Sequence, residues 1–434
     1  MDDISRLKTN ERAKMEKNVK YLHWYSFWDN FILFYPIKVL FFAQVCGDFV
    51  AAMSLFAIQN ISVTLLEIPT GCLSDRWGRK WVCRAGAASM LLSVILYAVA
   101  HNYFTLIIAS VLNGLSGALA SGNNTALLYD SLTQMKRRKD YHKEISKNIS
   151  LGQLSLAIGS LVGMAFVFIS LRAVMIAAII PAVIAFVITL RLAETKKSYN
   201  NETTSFLHIF KSLKYLLKHK RLRTISLAET LHYGLNEAAF DFNAVFFKQF
   251  VPEWSLGIFR SIGHFANSLG NYLSFFAAKR WGLRFTILFG VCCDNFSNII
   301  SVLAASVWSP VIKIVSTFCS GLKEPAEDTL IQNDCSEKER ATILSIISLF
   351  GSLFYSLCAV LIGMLADMTS PYTAMLCFYV LALASNSIFL LPLKTLKNNN
   401  RIFLLHLQKF SSKITFRVRI ILVNYLEILT ERCE

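Results

Sequence analysis

Glu229, Tyr233, Glu237 and Asp241 recur every four residues along one apolar stretch, so a helix would carry them as one slowly turning stripe. Three carboxyl groups on an apolar helix could bind a proton or a cation and release it when their surroundings change. Desolvation and a like charge one turn away both alter how such groups titrate, which suits Glu237, Asp241 and Glu229 to that task. The bland alternative is a buried ion pair or a helix-packing hydrogen bond. A second cluster, "GLKEPAED" from Gly321 to Asp328, places Lys323 opposite Glu327 and Glu324 opposite Asp328 at i,i+4. Pro325 is expected to bend or interrupt that helix and free carbonyls. The cluster reads either as internal pairs that make burial tolerable or as a site where Lys323 or Glu324 touches a bound molecule. Other polar residues stand inside apolar runs: Asp29, Asn30, Lys38, Asn113, Asn123, Asn124, Asn236, Asn243, Arg260, His264 and Asp294. An ionisable side chain in such a run marks a functional site by default.

The elements that hold these residues follow from composition. The chain has 434 residues, 54% hydrophobic and 17% charged, and a mean hydropathy of +0.47. Soluble chains carry about a quarter charged residues. Too little polar surface exists to coat a globule, and an integral membrane protein follows. Runs of about 20 residues, long enough to span a bilayer, fall at Trp24–Gln44, Phe49–Pro69, Val82–Ala100, Tyr103–Leu128, Ile149–Ser170, Ala173–Leu192, Thr224–Phe250, Leu256–Ala278, Phe285–Ala305, Trp308–Ile331, Thr342–Ala366 and Tyr372–Leu391. The first is interrupted by Asp29, Pro36 and Lys38. The predicted class is all-α and polytopic, with twelve transmembrane helices.

Connections after odd-numbered spans are short and nearly uncharged, such as "HN" and "SL". The alternate ones are basic: "DRWGRK", "KRRKDYHKEISK", "KRWGLR" and "SEKER". Lys and Arg therefore mark one side, which the positive-inside rule makes cytoplasmic. The formal charge of +16 is topological, and no nucleic-acid partner is expected. The ten Cys stand singly or as the vicinal Cys292–Cys293, without metal-type spacing, so no metal is expected. No cleavable signal precedes the first run. The boundaries read as a cytoplasmic tail at 1–23, a six-helix bundle at 24–192, a central loop at 193–223, a second bundle at 224–393 and a basic tail at 394–434. In that last tail Leu407, Phe410, Ile414, Val418, Ile421, Tyr425 and Ile428 have helical spacing, as in an amphipathic helix on the inner leaflet. A partner-binding helix is the rival reading.

Comparing the two halves exposes a repeat: "RWG" at Arg76–Gly78 recurs at Arg280–Gly282, each after the second span of its half. The first copy sits in "GCLSDRWGRK". This closely resembles the signature loop of the major facilitator superfamily, matched by Gly71, Leu73, Asp75, Arg76, Gly78, Arg79 and Lys80. The resemblance covers roughly residues 24–393 and implies two pseudo-symmetric six-helix bundles rocking around a midplane site. It implies that the loop is a latch: Gly71 allows close helix approach, Asp75 caps a neighbouring helix, and Arg79 and Lys80 pair with acids of the opposite half. The second copy has Lys279 where Asp75 would repeat. The Arg that many proton-coupled members carry in the fourth span is absent, Ser110 or Asn113 standing in its place. The fifth span, with Gly159 and Gly163, lacks the Gly-Pro pair of drug antiporters.

In that family the first, fourth, seventh and tenth spans line the cavity. The resemblance thus makes Glu237, Asp241, Glu229 and Asp29 the candidates for proton or cation coupling. Lys38, Asn113, Asn124, Tyr233, Lys323, Glu324 and Glu327 become the candidates for the substrate cavity. Glu237 stands about 20 Å along its helix from the cytoplasmic edge, near the midplane. The acids outnumber the bases along this presumed cavity, favouring proton coupling or a cationic solute.

The reading is a secondary transporter of a small organic solute, proton-coupled and exporting. It would be monomeric, multi-pass in the cell membrane (the inner membrane of a Gram-negative cell), with both termini cytoplasmic. No cofactor beyond the ion gradient is expected, and no catalytic constellation or ATP-binding loop is present. The alternatives are a carrier of a polar metabolite or siderophore contacted by Lys38 and Lys323, and, remotely, a membrane sensor that does not transport.

Overall fold

The computed structural model describes residues 2–195, 213–334 and 340–393, and every regular element among them is helical. The basic tail and its amphipathic spacing lie outside the described residues, as does most of the central loop. The first span is discontinuous. Helix Asp2–Asp29 stops, the chain turns through Asn30–Phe34, one 3-10 turn forms at Tyr35–Ile37 with Pro36 in its first turn, and helix Lys38–Cys46 completes the crossing. The second to fifth spans are Phe49–Trp77, Arg79–Val99, Tyr103–Ala120 continued by Asn123–Gln134, and Tyr141–Val167. The sixth is Leu171–Ala177 continued by Ile179–Leu190. The second half repeats the pattern with Lys220–Phe247, Leu256–Trp281, Leu283–Ala304, Ser309–Asp334, Arg340–Met368 and Pro371–Leu393. By length and composition seven of these helices are apolar enough to cross a membrane. The first, seventh, eighth, tenth and twelfth spans fall outside that set, and the first four of these hold most of the buried ionisable residues of the candidate site, Asp294 of the ninth being an exception.

Two expectations need correction. The N-terminal tail expected at 1–23 is not separate from the first span, because one helix runs from Asp2 to Asp29. Met15, Val19, Leu22 and Tyr25, at helical spacing, are buried against Leu127, Leu128 and Leu132 of the fourth span. Asn18 fixes the register: its amide donates to the Ala193 carbonyl at 2.9 Å and accepts from the Ala193 N–H at 2.8 Å. Nor does Pro325 interrupt the tenth span, which runs unbroken from Ser309 to Asp334. Lost backbone bonds at a proline are tolerated where neighbouring helices support the segment.

The repeat seen in the sequence has a backbone counterpart. Gly78 turns the chain between the second and third spans at φ +97°, ψ 147°, and Gly282 does so between the eighth and ninth at φ +85°, ψ 151°. Side chains rarely adopt this region, so glycine stands at both turns. These two turns share what is called below the motif face; the opposite side is the far face.

The hydrogen bonds described between the halves lie toward the far face. Asp367 in the eleventh span accepts from the N–H groups of Phe49 and Val50 at 2.9 and 2.7 Å, capping the second span. The Asn60 amide donates to the Ser352 carbonyl at 2.8 Å, and Ser261 donates to the Ala157 carbonyl at 2.9 Å. Phe168 and Trp254 stack across the far end with centroids 5.8 Å apart. At the motif face a Cβ on Gly71 of the second span would have nothing within 4 Å among the described residues.

Candidate functional site

At the motif loop Arg79 is held three ways by its own half. Its Nε lies 3.0 Å from Asp130 Oδ2, and its N–H donates to Glu194 Oε1 at 3.0 Å. Its carbonyl accepts from the Asn123 amide at 3.0 Å, and Asn123 in turn accepts from Ser74 at 2.7 Å. Lys80 rests over the Trp81 ring, 5.2 Å from its centroid. Among the described residues, Arg79 and Lys80 pair with no acid of the opposite half, and none comes within 4 Å of a Cβ placed on Gly71. Asp130 and Glu194, which reach Arg79, belong to its own half. Leu73 is half-buried, and the side chains of Asp75 and Arg76 lie outside those described.

A Cβ on Gly78 would stand 2.6 Å from the Glu194 carboxylate, whereas one on Gly282 would meet nothing within 4 Å. The degenerate copy has kept the turn and lost the acid beside it. Gly78→Ala is expected to destabilise the protein by about 1–3 kcal/mol through backbone strain alone. Gly282→Ala should show the strain without the added collision. Thermal unfolding of the two purified variants compares them, and equal midpoints would remove Glu194 from the account.

The polar residues of the N-terminal half mostly face inward within that half. Lys38, buried, bonds Gln59 Oε1 and lies 4.9 Å from the Phe56 centroid, with the rings of Phe42 and Tyr97 at 5.5 and 5.6 Å. It does not snorkel outward; an aromatic box desolvates and holds the ammonium. Asn113 bonds the Met90 sulfur at 3.4 Å and so faces the third span. Asp29 lies beside Tyr25, which also neighbours Asn124. It lines a small pocket with Ala87 and Met90 of the third span and Ala182 of the sixth. No described contact joins Asp29 to the seventh-span acids, so it stands apart from the coupling group in which it was expected.

The C-terminal half holds a continuous buried network. Lys323 Nζ is 2.5 Å from His232 Nε2, 3.6 Å from Glu327 Oε2 and 4.0 Å from Asp294 Oδ2. Asp294 Oδ1 accepts from Ser316 at 2.7 Å and from Asn298 at 3.0 Å. Lys313 donates to Asn298 at 2.5 Å and to Tyr379 at 3.1 Å, and Tyr379 donates to Asn243 at 3.2 Å. Glu229 has Lys323 as an electrostatic neighbour, although its Oε2 is buried without a hydrogen bond. Of the two i,i+4 pairs in "GLKEPAED", one is an ion pair. Glu324 and Asp328 are both carboxylates and cannot pair; Glu324 is exposed and accepts from Ser320 at 3.0 Å.

A second polar group lies where the halves meet. Asp241 accepts from the Tyr355 hydroxyl at 2.5 Å and lies 3.9 Å from the Arg260 guanidinium. That guanidinium stacks 3.5 Å from the Phe240 centroid and 4.5 Å from Tyr35, which comes from the broken first span. Tyr233 is 41% exposed, with its ring 6.4 Å from Tyr355. Glu237 is half-buried, and no hydrogen bond or ion pair reaches it among the described residues. Its electrostatic neighbours are Asp241, Arg260, Glu324 and Lys313. Sequence reasoning passed over Lys313, His232 and Tyr355. Lys313 and His232 break apolar runs and were open to the rule that found Glu237; the tyrosine carries no such signal. Lys313, Arg260 and His232 narrow the expected excess of acids without removing it.

The family model described as Major Facilitator Superfamily matches residues 22–357. The crystal structure of the nucleoside transporter NupG superposes with a TM-score of 0.67 at 16% identity, covering 88% of this chain and 99% of that one. A bacterial homologue of the human lysosomal transporter Spinster, inward-facing and unoccupied, gives 0.67 at 15% identity, covering 89% and 97%. A D-xylose–proton symporter gives 0.64 at 15% identity, covering 86% and 97%. At these identities the likeness is one of fold. No curated protein sequence matches the chain.

Proposed function

The chain belongs to the major facilitator superfamily of transporters, a multi-pass membrane protein, and from that premise we propose a proton-coupled carrier of a small organic solute that works by alternating access. The motif face is the cytoplasmic one, carrying the basic loops. The conformation described above is then inward-facing, sealed at the far face by Asp367, Asn60 and Ser261. The observation that carries the coupling is Glu237. It is the carboxylate of the central group left without a bond, halfway along the seventh span and between the two halves. An acid in that place takes up a proton from one side and gives it to the other as the halves rock.

Aromatic walls around Arg260 favour an amphiphilic solute, for which export is the proposed direction. A second reading, a carrier of polar metabolites, is favoured by the cations Arg260 and Lys313. Lys38 and Lys323, first candidates for that contact, are both occupied within their own halves. Reconstitution in liposomes loaded with a pH-sensitive dye tests the proposal, with nucleosides, sugars and short peptides as the first solute panel because the structural neighbours transport such compounds. Solute-dependent proton movement is expected in the wild type. In Glu237→Gln it should fall at least tenfold while solute exchange persists. Proton movement undiminished in that variant would remove Glu237 from the mechanism.

A further inference from the structure

A pocket lies between the seventh, eighth and tenth spans, with Pro36 of the first span as its wall from the other half. Its polar lining is Arg260, His264, Lys313, Asn243 and Thr317, whose hydroxyl is spent on the Lys313 carbonyl at 3.0 Å, and it contains no carboxylate. Arg260 Nε, His264 Nε2 and Asn243 Nδ2 are each buried with no hydrogen-bond partner. Asn243 is 4% exposed, and its carbonyl oxygen already serves Tyr379, so the amide hydrogens remain to be used. Lys313 bonds neutral oxygens of Asn298, Ser316 and Tyr379, and no carboxylate lies within 4 Å of it among the described residues. The two nearest acids do not line the cavity: Asp241 has one oxygen taken by Tyr355 and stands 3.9 Å from Arg260, and Glu237 neighbours Lys313 at longer range.

Three buried polar groups without partners, on Arg260, His264 and Asn243, thus stand with the Lys313 ammonium around a space walled by Phe240 and Phe259. Buried donors without acceptors are rare in native structures and call for a missing acceptor. A guanidinium fork beside an ammonium fits a planar carboxylate or a phosphate. We propose that this cavity is the seat for the anionic group of the transported solute, an organic carboxylate or phosphate with an apolar or aromatic body. The proposal rests on the transporter reading above and narrows its substrate class. It also reverses the cationic solute suggested by counting acids in the sequence.

The test is titration calorimetry on the purified full-length protein, with benzoate and phenyl phosphate as anions, and benzyl alcohol and benzylamine as the neutral and cationic controls. At least one anion is expected to bind at least tenfold more tightly than benzyl alcohol. Lys313→Met and Arg260→Met should each weaken it by about tenfold or more, the scale of a lost charge-assisted hydrogen bond. Lys313→Arg should stay within about threefold of wild type, a rescue that a misfolded variant would not show. Equal binding of benzyl alcohol, no binding of either anion, or unchanged affinity in both methionine variants would each overturn the proposal. Displacement of benzoate by phosphatidylglycerol in nanodiscs, but not by neutral lipid, would also overturn it, assigning the seat to a lipid headgroup. Binding without flux would sink the transporter reading alone; flux without anion binding would sink this one alone.

Discussion

A Gly257→Val protein is expected to fold, to bind solute and to lose nearly all turnover. Gly257, at the far end of the eighth span, is where the two halves close on one another. A Cβ there would stand 2.6 Å from the Ser160 carbonyl oxygen and 2.5 Å from Met164 Cγ of the fifth span. Met164 could move, but a helix backbone oxygen cannot. Overpacking of this kind costs about 1–3 kcal/mol, which here falls on the closed far face and leaves the open one untouched. The ratio of closed to open forms should shift by roughly 5- to 150-fold. Two measurements check it together. Solute flux in liposomes should drop below about a tenth of wild type, and disulfide cross-linking of an Ala157→Cys/Ser261→Cys pair should fall in parallel. That pair reports the same contact, because Ser261 now donates to the Ala157 carbonyl. Normal flux with normal cross-linking would show that this crossing is not the gate.

The second large effect concerns Lys323, 2% exposed and set among Asp294, Glu327 and His232. Lys323→Met would leave buried carboxylates without their cation, and breaking a buried pair from one side destabilises by about 3–5 kcal/mol. Removing both members avoids most of that penalty. Lys323→Met/Glu327→Leu should therefore unfold at a higher temperature than Lys323→Met alone, recovering more than half of the loss. A double variant no more stable than the single one would mean that Glu327 is not the main partner and that Asp294 is. The same cycle separates stability from transport: a double variant that is stable yet inactive would place the network in the transport cycle as well.

The fold was legible because its two signals are repetitive. Twelve apolar runs and a one-sided distribution of Lys and Arg need no tertiary information, and "RWG" announces a backbone turn that the structure repeats at Gly78 and Gly282. The N-terminal helix was missed because its apolar stripe is narrow: Met15, Val19 and Leu22 are outnumbered by the charged residues around them. The site was legible as a list but not as an arrangement. Sequence spacing fixes which residues share a face of one helix, and so found the stripe from Glu229 to Asp241. It says nothing about which neighbour that face meets. Thus Asp29 and Asn113 turned out to face the third span, and Lys38 an aromatic box, while Arg260 and His264 arrived from the eighth span. Pairing by i,i+4 alone also matched two acids, Glu324 and Asp328, which charge forbids.

The eighth and tenth spans cross at paired glycines. Gly270 meets the backbone from Phe318 to Leu322, and Gly321 meets the backbone of Asn267. With main chains in contact there is no side-chain layer to slide on, so Arg260 and Lys313 keep their separation whichever way the bundle leans. If the halves rock as proposed, what changes is the cover, Tyr35 and Pro36 of the broken first span, which belongs to the other half. A molecule in the cavity would accordingly be sized against the returning half and not against its own binding groups. Small ones would let the cover come back and be carried. Slightly larger ones with the same head would sit just as well and act as a doorstop.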